Sequence, residues 1–232
     1  MANASRLADL AWTELEARNR QGRATVLAVP LGATEQHGPH LPLSTDTDVA
    51  VALCEALAEV RDDVVVAPAL AYGSSGEHEG FAGTLSIGQE ALELVVVELV
   101  RSAVRTFDAV LIVSGHGGNL ECVTRAVRRL RDEGHDVELF APVAGGDAHA
   151  GRTETSLMLA LSPARVRMNA AVPGDPRPIS ELLSWLKASG VRSVSPTGVL
   201  GDPFGAGAAE GEALIARLAG ELLSRVVTWR DG

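Results

Sequence analysis

The chain has 232 residues, 46% of them hydrophobic, with 30 acidic against 20 basic side chains and a formal net charge of −10. At this length one α/β domain over residues 1–232 is expected, with a core that buries roughly 70–75% of the unfolded surface and needs no covalent staples. The acidic balance and a single lysine, Lys187, exclude nucleic acid and anionic membrane as main partners, because phosphate surfaces need clustered cations.

Taken in chain order, the pattern predicts a helix over Ser5–Arg18, a strand over Thr25–Leu31, a helix over Thr47–Val60 and a strand over Val64–Leu70. It continues with a helix over Gln89–Phe107, a strand over Ala109–Ser114, a helix over Asn119–Glu133 and a strand over Val137–Val143. Helices over Thr155–Leu161, Ile179–Ala188 and Ala206–Trp229 complete it. The strand runs are short and almost continuously apolar, as in parallel strands buried on both faces, and helical periodicity fills the gaps. Such alternation predicts a three-layer α/β/α sandwich around a mostly parallel sheet. Arg125, Arg128, Arg129 and Arg131 are spaced for one solvated helix face. Pro- and Gly-rich stretches at Val172–Pro178 and Pro196–Gly211 are loops that can border a site.

Cys54 and Cys122 lie in apolar helical patterns and are too few for a disulfide framework, which fits a reducing cytoplasm. Met1–Leu10 has no apolar leader region, and no uncharged apolar run approaches ~18 residues, so a cytoplasmic protein without a membrane anchor is expected.

Out-of-place polar residues cluster after the predicted strands. Glu35, His37 and Asp46 follow the first, Glu77 and His78 the second, His116 the third, and His149 and Glu154 the fourth. In a parallel sheet those segments meet at one edge, where ligands bind. Individually each has a plain structural explanation. Asp46 stands among Ser44, Thr45 and Asp48 as an N-terminal helix residue, Glu154 suits a helix first turn, and Glu77, His78 and Glu79 fit a solvated loop. Their joint arrival at one edge favours a ligand set.

The segment Ser114-Gly115-His116-Gly117-Gly118-Asn119 joins a strand to a helix through three glycines. It lacks Walker spacing and a lysine, so a histidine held on a tight turn is preferred to a phosphate cradle. No G-x-S-x-G elbow occurs, and neither cysteine has a polar setting, which disfavours covalent catalysis. Three carboxylates, Glu35, Asp46 and Glu154, with imidazoles His37 and His116 and with His149 in reserve, give mixed N/O coordination. That set suits zinc, manganese or iron(II) rather than calcium, and exceeds the needs of one catalytic ion. Two ions sharing a carboxylate would activate water and polarise a carbonyl.

Gly32-Ala33-Thr34-Glu35-Gln36-His37-Gly38-Pro39-His40-Leu41-Pro42-Leu43, Thr45-Asp46, Gly115-His116-Gly117-Gly118-Asn119 and His149-Ala150-Gly151 with Glu154-Thr155-Ser156 together resemble the successive motifs of the creatininase (creatinine amidohydrolase) family. The resemblance covers nearly the whole chain in order. It implies a three-layer hydrolase with two divalent metal ions, zinc with iron or manganese, that cleaves C–N bonds as a homo-oligomer, a hexamer or similar. It implies Glu35 and His116 on one ion, His37 and Glu154 on the other, Asp46 as bridge and His149 as acid/base, a role Glu154 would share if it is not a ligand. Substrate contacts fall to His78, Gly117, Gly118 and Asn119. Creatininase itself carries a glutamate where this chain has Gly118, which departs from the creatinine-specific site.

The runs Tyr72–Ser86 and Gly145–Ser156 most resemble the peptidase branch of that family, which acts in mycofactocin biosynthesis. This implies release of a modified C-terminal Val-Tyr dipeptide from a short precursor peptide. An amidohydrolase for a small cyclic amide or formamide, and a non-catalytic binding or assembly module, are the alternatives.

Overall fold

The computed structural model describes residues 5–21, 25–142 and 145–232. Side-chain alternation along the strands decides the layers, because successive residues of a strand face opposite sides of the sheet. Val26, Ala28, Ala109, Leu111 and Val113 face one side, and Leu27, Val29, Leu31, Val110 and Ile112 face the other. These positions belong to β1 (Val26–Leu31) and β3 (Ala109–Ser114), every residue of which is buried. With β2 (Val64–Val66) and β4 (Val137–Phe140), they form a parallel sheet in the order β2-β1-β3-β4.

Helices α2 (Thr45–Val60), α5 (Arg152–Leu161) and α8 (Ala208–Arg230) cover the first face through Leu53, Leu57, Leu157, Leu218 and Leu222. Helices α3 (Gln89–Ala103) and α4 (Leu120–Asp132) cover the second through Leu92, Val96, Val127 and Leu130, with Leu15 of α1 (Trp12–Arg20) at its margin. Each such burial contributes about 1.5–3 kcal/mol before chain entropy is subtracted. The predicted three-layer sandwich is the observed fold.

Chain order locates the ligand-binding edge. From β1 the chain crosses through α2 to β2 on one side, and from β3 through α4 to β4 on the other. These two connections also lie on opposite faces. The loops leaving β1 and β3 therefore diverge and open a crevice between neighbouring strand ends, the topological switch point of an open α/β sheet. Helices α6 (Ile179–Ser189) and α7 (Val191–Val194) pack Leu182, Leu186 and Val191 around Leu200, and His149 pairs with Leu200 across an isolated bridge.

Several predicted boundaries shift. The Ser5–Arg18 helix divides into a 3-10 turn at Leu7–Asp9 and α1, while Arg6 pairs with Val66 beside the sheet. The second strand stops at Val66, two residues before Pro68, which has no N–H for a ladder. A single bridge from Leu31 to Leu70 remains of the predicted extension. The fourth strand ends at Phe140, and the expected end, Val143, lies outside the described residues, as do Met1–Ala4. Helix α7 had no separate signal in the sequence. The arginines of α4 are exposed, and three are paired, Arg125 with Glu93 and Glu121, Arg129 with Glu133 and Arg131 with Glu138. Among the described residues no helix is long and apolar enough to cross a membrane.

Asn119 ties the site loops to the sheet. Fully buried, it accepts from Ser74 N–H at 2.8 Å and donates to Gly32 C=O at 2.9 Å. Expected to contact substrate, it braces two main-chain segments. Asn119→Ala strands both buried groups, and the expected loss is about 2–4 kcal/mol in denaturant unfolding; unchanged stability would contradict the bracing role.

Candidate metal centre

At the crevice, close main-chain approach sets the first distances. Gly115 follows β3 where a Cβ would lie 2.2 Å from the Asp46 carbonyl oxygen, so only glycine lets the first turn of α2 pack this near. Asp46 is thereby brought beside His116, with Oδ2 3.2 Å from Nδ1. The loop after β1 returns on itself through Glu35 N–H to Leu43 C=O at 3.0 Å. His37 Nδ1–H donates to the Glu35 carbonyl at 3.2 Å, which turns Nε2 toward Asp46 Oδ1 at 3.1 Å and Glu154 Oε2 at 3.7 Å.

Glu35 lies between three imidazoles. His116 Nε2 is 3.2 Å from Oε2, His78 Nε2 is 3.3 Å from Oε1 and His149 Nδ1 is 4.0 Å from Oε1. Both Glu35 oxygens and Asp46 Oδ2 are buried, yet none accepts a hydrogen bond from a described residue. Buried carboxylate oxygens without donors carry a large desolvation cost unless a cation balances them. Three groupings place ligand atoms close enough to share an ion: Glu35 with Asp46 and His116, His37 with His149 and Glu154, and Glu35 with His78 and His149. The donor set is nitrogen and oxygen without thiolate, which fits zinc, manganese or iron.

Protons do part of that balancing in the protein alone. Burial disfavours charge on His37, but Asp46, Glu154 and Glu35 outweigh it and push its pKa up to about 10. His116 is likewise raised against its burial, by Glu35, Asp46 and Glu77. Burial raises Glu35 to about 8 despite His116, whereas in Asp46 the same burial is overcome by His37 and His116, and its pKa falls. Burial lowers His78 to about 4, and burial with the charges of His37 and His78 lowers His149. Two imidazoles are thus held charged and two neutral within one cluster.

Helix α5 supplies Glu154. Its Oε2 accepts from Ala150 N–H at 2.6 Å, and Ala150 is the one described non-glycine residue with positive φ, at 53°. Strain of this kind persists where the surroundings hold it, and here it lies between His149 and the start of α5. The Asp147 carboxylate caps that helix at the N–H groups of Arg152 and Thr153.

All five expected ligands, Glu35, His37, Asp46, His116 and Glu154, meet at the crevice, with His149 and His78 beside them. Sequence reasoning left Glu77 undecided between loop and site. Its Oε1 is 3.4 Å from His116 Nε2, and a Cβ on Gly118 would fall 2.4 Å from that oxygen. Glu77 therefore occupies space that a side chain at 118 would need. Gln36 carries no signal of its own in the sequence beyond its motif, although it is buried between His78 and His149. A cavity of ≈ 420 Å³ opens beside the cluster, lined by Asp46, His116 and Glu154 together with Leu120, Leu157 and Ile179.

Parallel sheet, switch-point crevice and acid–imidazole cluster define the class: a three-layer α/β protein with the donors for a multi-metal centre. A model of the creatininase family, described as creatinine amidohydrolase, matches residues 8–226, and the chain belongs to that family. A mycofactocin precursor peptide peptidase from Mycobacterium ulcerans is 47% identical over 215 residues, which are 89% of this chain and 86% of that protein. Creatinine amidohydrolase from Pseudomonas putida is 32% identical over 72% of this chain and 76% of its own. A crystal structure of creatininase superposes with a TM-score of 0.81 at 27% identity, covering 98% of each chain. Solved creatininases include forms described as Zn–Zn type and Mn, each at 26% identity and a TM-score of 0.80.

Protonated His37 stabilises the metal-free fold fully below its unfolded value of 6.5, and that contribution is lost as pH rises through about 10. Glu35 has the same sign, since ionising its buried carboxyl costs stability between 4.5 and about 8. His78 and His149 have the opposite sign, but act below 6.5. The melting temperature of metal-free protein is expected to fall from pH 6.5 to about 9. A flat or rising profile would contradict these charge assignments.

Proposed function

We propose that the whole chain, residues 1–232, acts as one domain: a peptidase that removes the modified C-terminal Val-Tyr dipeptide from the mycofactocin precursor peptide, using two divalent ions. The carrying observation is the pair of buried carboxylates, Glu35 and Asp46, whose unbonded oxygens face imidazoles at ion-sharing distance. In this reading Glu35 and His116 hold one ion, His37 and Glu154 the other, and Asp46 serves both. Zinc with iron or manganese suits these donors. When bound, such an ion pair supplies an activated water and polarises the scissile carbonyl.

The chain's own residues divide the remaining work. His37 is aimed by its Nδ1–H bond to the Glu35 carbonyl, a contact that fixes which nitrogen faces an ion. His149 donates Nε2–H to the Gln36 carbonyl at 2.8 Å, so Nδ1 is the nitrogen exposed to the reaction. An imidazole so placed can carry a proton to the departing amide nitrogen, which leaves poorly as an anion. The neighbouring Glu154 can share that transfer when it is not engaged by an ion. The cavity wall of Leu120, Leu157 and Ile179 suits an apolar side chain such as valine, and Gly117 lines the same cavity; His78, Gly118 and Asn119 are proposed to contact the peptide from beside it. A homo-oligomer in the cytoplasm, hexameric or similar, completes the proposal.

Mass spectrometry of a precursor peptide ending in the modified Val-Tyr, before and after treatment, tests this. Loss of the dipeptide is expected, with no turnover of creatinine or formylated amines; turnover of those small amides with an intact peptide would transfer the site to the amidohydrolase reading. His37→Ala and Asp46→Ala should lose bound metal and turnover together, whereas His149→Ala should keep metal and lose about 10²-fold or more in rate. Full activity after metal stripping would overturn the proposal.

A further inference from the structure

The third ion-sharing group, Glu35 with His78 and His149, exceeds the needs of a two-metal site. Its chemistry is decided by Gln36. The orientation of that amide follows from two main-chain partners, since Oε1 accepts from Gly38 N–H at 2.8 Å and Nε2 donates to Gly198 C=O at 3.2 Å. Rotating the amide by half a turn would set donor against donor and acceptor against acceptor. Its position is equally fixed. Gly198 has φ +83°, and a Cβ there would lie 1.8 Å from Gln36 Oε1, so the loop is closed down onto the amide.

With that orientation, the second amide hydrogen points at His78 Nδ1, 2.8 Å away. Nδ1 must then accept, and the ring proton sits on Nε2, facing Glu35 Oε1 at 3.3 Å. A nitrogen carrying a proton cannot bind a cation. His149 Nε2 lies 3.1 Å from Gln36 Nε2 and 2.8 Å from the Gln36 carbonyl; with both amide hydrogens directed at Gly198 and His78, it donates to the carbonyl and leaves its Nδ1 lone pair toward the carboxylates. One residue thus sets opposite tautomers in two imidazoles whose centroids are 4.5 Å apart.

We propose that Gln36 is a positioning residue that fixes the His78 ring proton on Nε2, the nitrogen facing Glu35 Oε1, bars a cation from the Glu35–His78–His149 group, and leaves Glu35 Oε2 as the oxygen that would meet a single ion. The assignment rests on the metallohydrolase reading for the identity of that ion, but not for the tautomer. Partners outside the ligand shell orient carboxylates and imidazoles in this way, and their loss typically weakens metal binding by about 10- to 100-fold.

Nitrogen NMR of full-length protein with isotope-labelled histidine tests the tautomer, first metal-free and then zinc-loaded. The expected result is a proton on His78 Nε2 in both states, with no zinc-bound shift on either ring nitrogen. Gln36→Glu places an acceptor opposite Nδ1 and should move the proton there. Gln36→Met removes the donor and should give mixed tautomers and about 10-fold or more weaker binding of one zinc ion. A proton on Nδ1 in the wild type, a zinc-bound shift at His78, or an unaltered tautomer in both variants would overturn the proposal. The wild-type spectrum decides even if both variants fail to fold. Should the wild type bind no zinc while His78 keeps its Nε2 proton, the metallohydrolase reading falls and the tautomer assignment stands.

Discussion

Two carboxylates, Glu35 and Asp46, are taken out of water with three oxygens that no described hydrogen-bond donor satisfies. That is the constraint from which the rest of the crevice follows. An isolated buried carboxylate costs several kcal/mol or more, so a fold retains such a pair only where positive charge is supplied at the same place. In the protein alone that charge comes from protons on His37 and His116, whose pKa values rise against the effect of their own burial. Divalent ions would displace those protons, which couples metal affinity to pH and makes each ion a contributor to folding stability.

Strand order makes the cluster possible without a long excursion of the chain. Consecutive loops that leave β1 and β3 toward opposite faces of the sheet must part at their bases, and the gap between them receives Glu35, His37 and Asp46 from one side and His116 from the other. Helix α5 closes the far end with Glu154, held by the N–H of a residue in left-handed backbone conformation. Asp46 and Glu154 stand in helix first turns and His116 two residues past β3, while Glu35 and His37 come from the loop after β1 and the covering layer of α6 and α7 is a small separate cluster. The division suits a site that holds its donor groups in register yet admits a substrate.

Much of this was legible in the residues. Continuous apolar runs at Thr25–Leu31 and Ala109–Ser114 carry their own evidence for doubly buried strands, and each is followed within a few residues by acids or histidines with no local need to be there. Joint placement turned Asp46 from a helix-start residue into a ligand candidate. Pro68, which has no N–H for a ladder, was the one local sign that the second strand would stop short of Leu70. Other features depended on distance in space. Asn119 looked like an open loop donor, but its partners are 45 and 87 residues away. Gln36 is the clearest case, with amide partners 42 and 162 residues distant at His78 and Gly198, so its orientation has no signature in any local window. Glu77 was ambiguous for the same reason, since its meaning comes from the empty side-chain space at Gly118.

The account stands on the claim that Asp46 lies between two ions. Anomalous diffraction from crystals of the full chain loaded with zinc tests it most directly. Two peaks are predicted, one reached by Glu35 and His116 and the other by His37 and Glu154, with Asp46 touching both. A single peak, or a second one on His78 Nε2 away from Asp46, would contradict it.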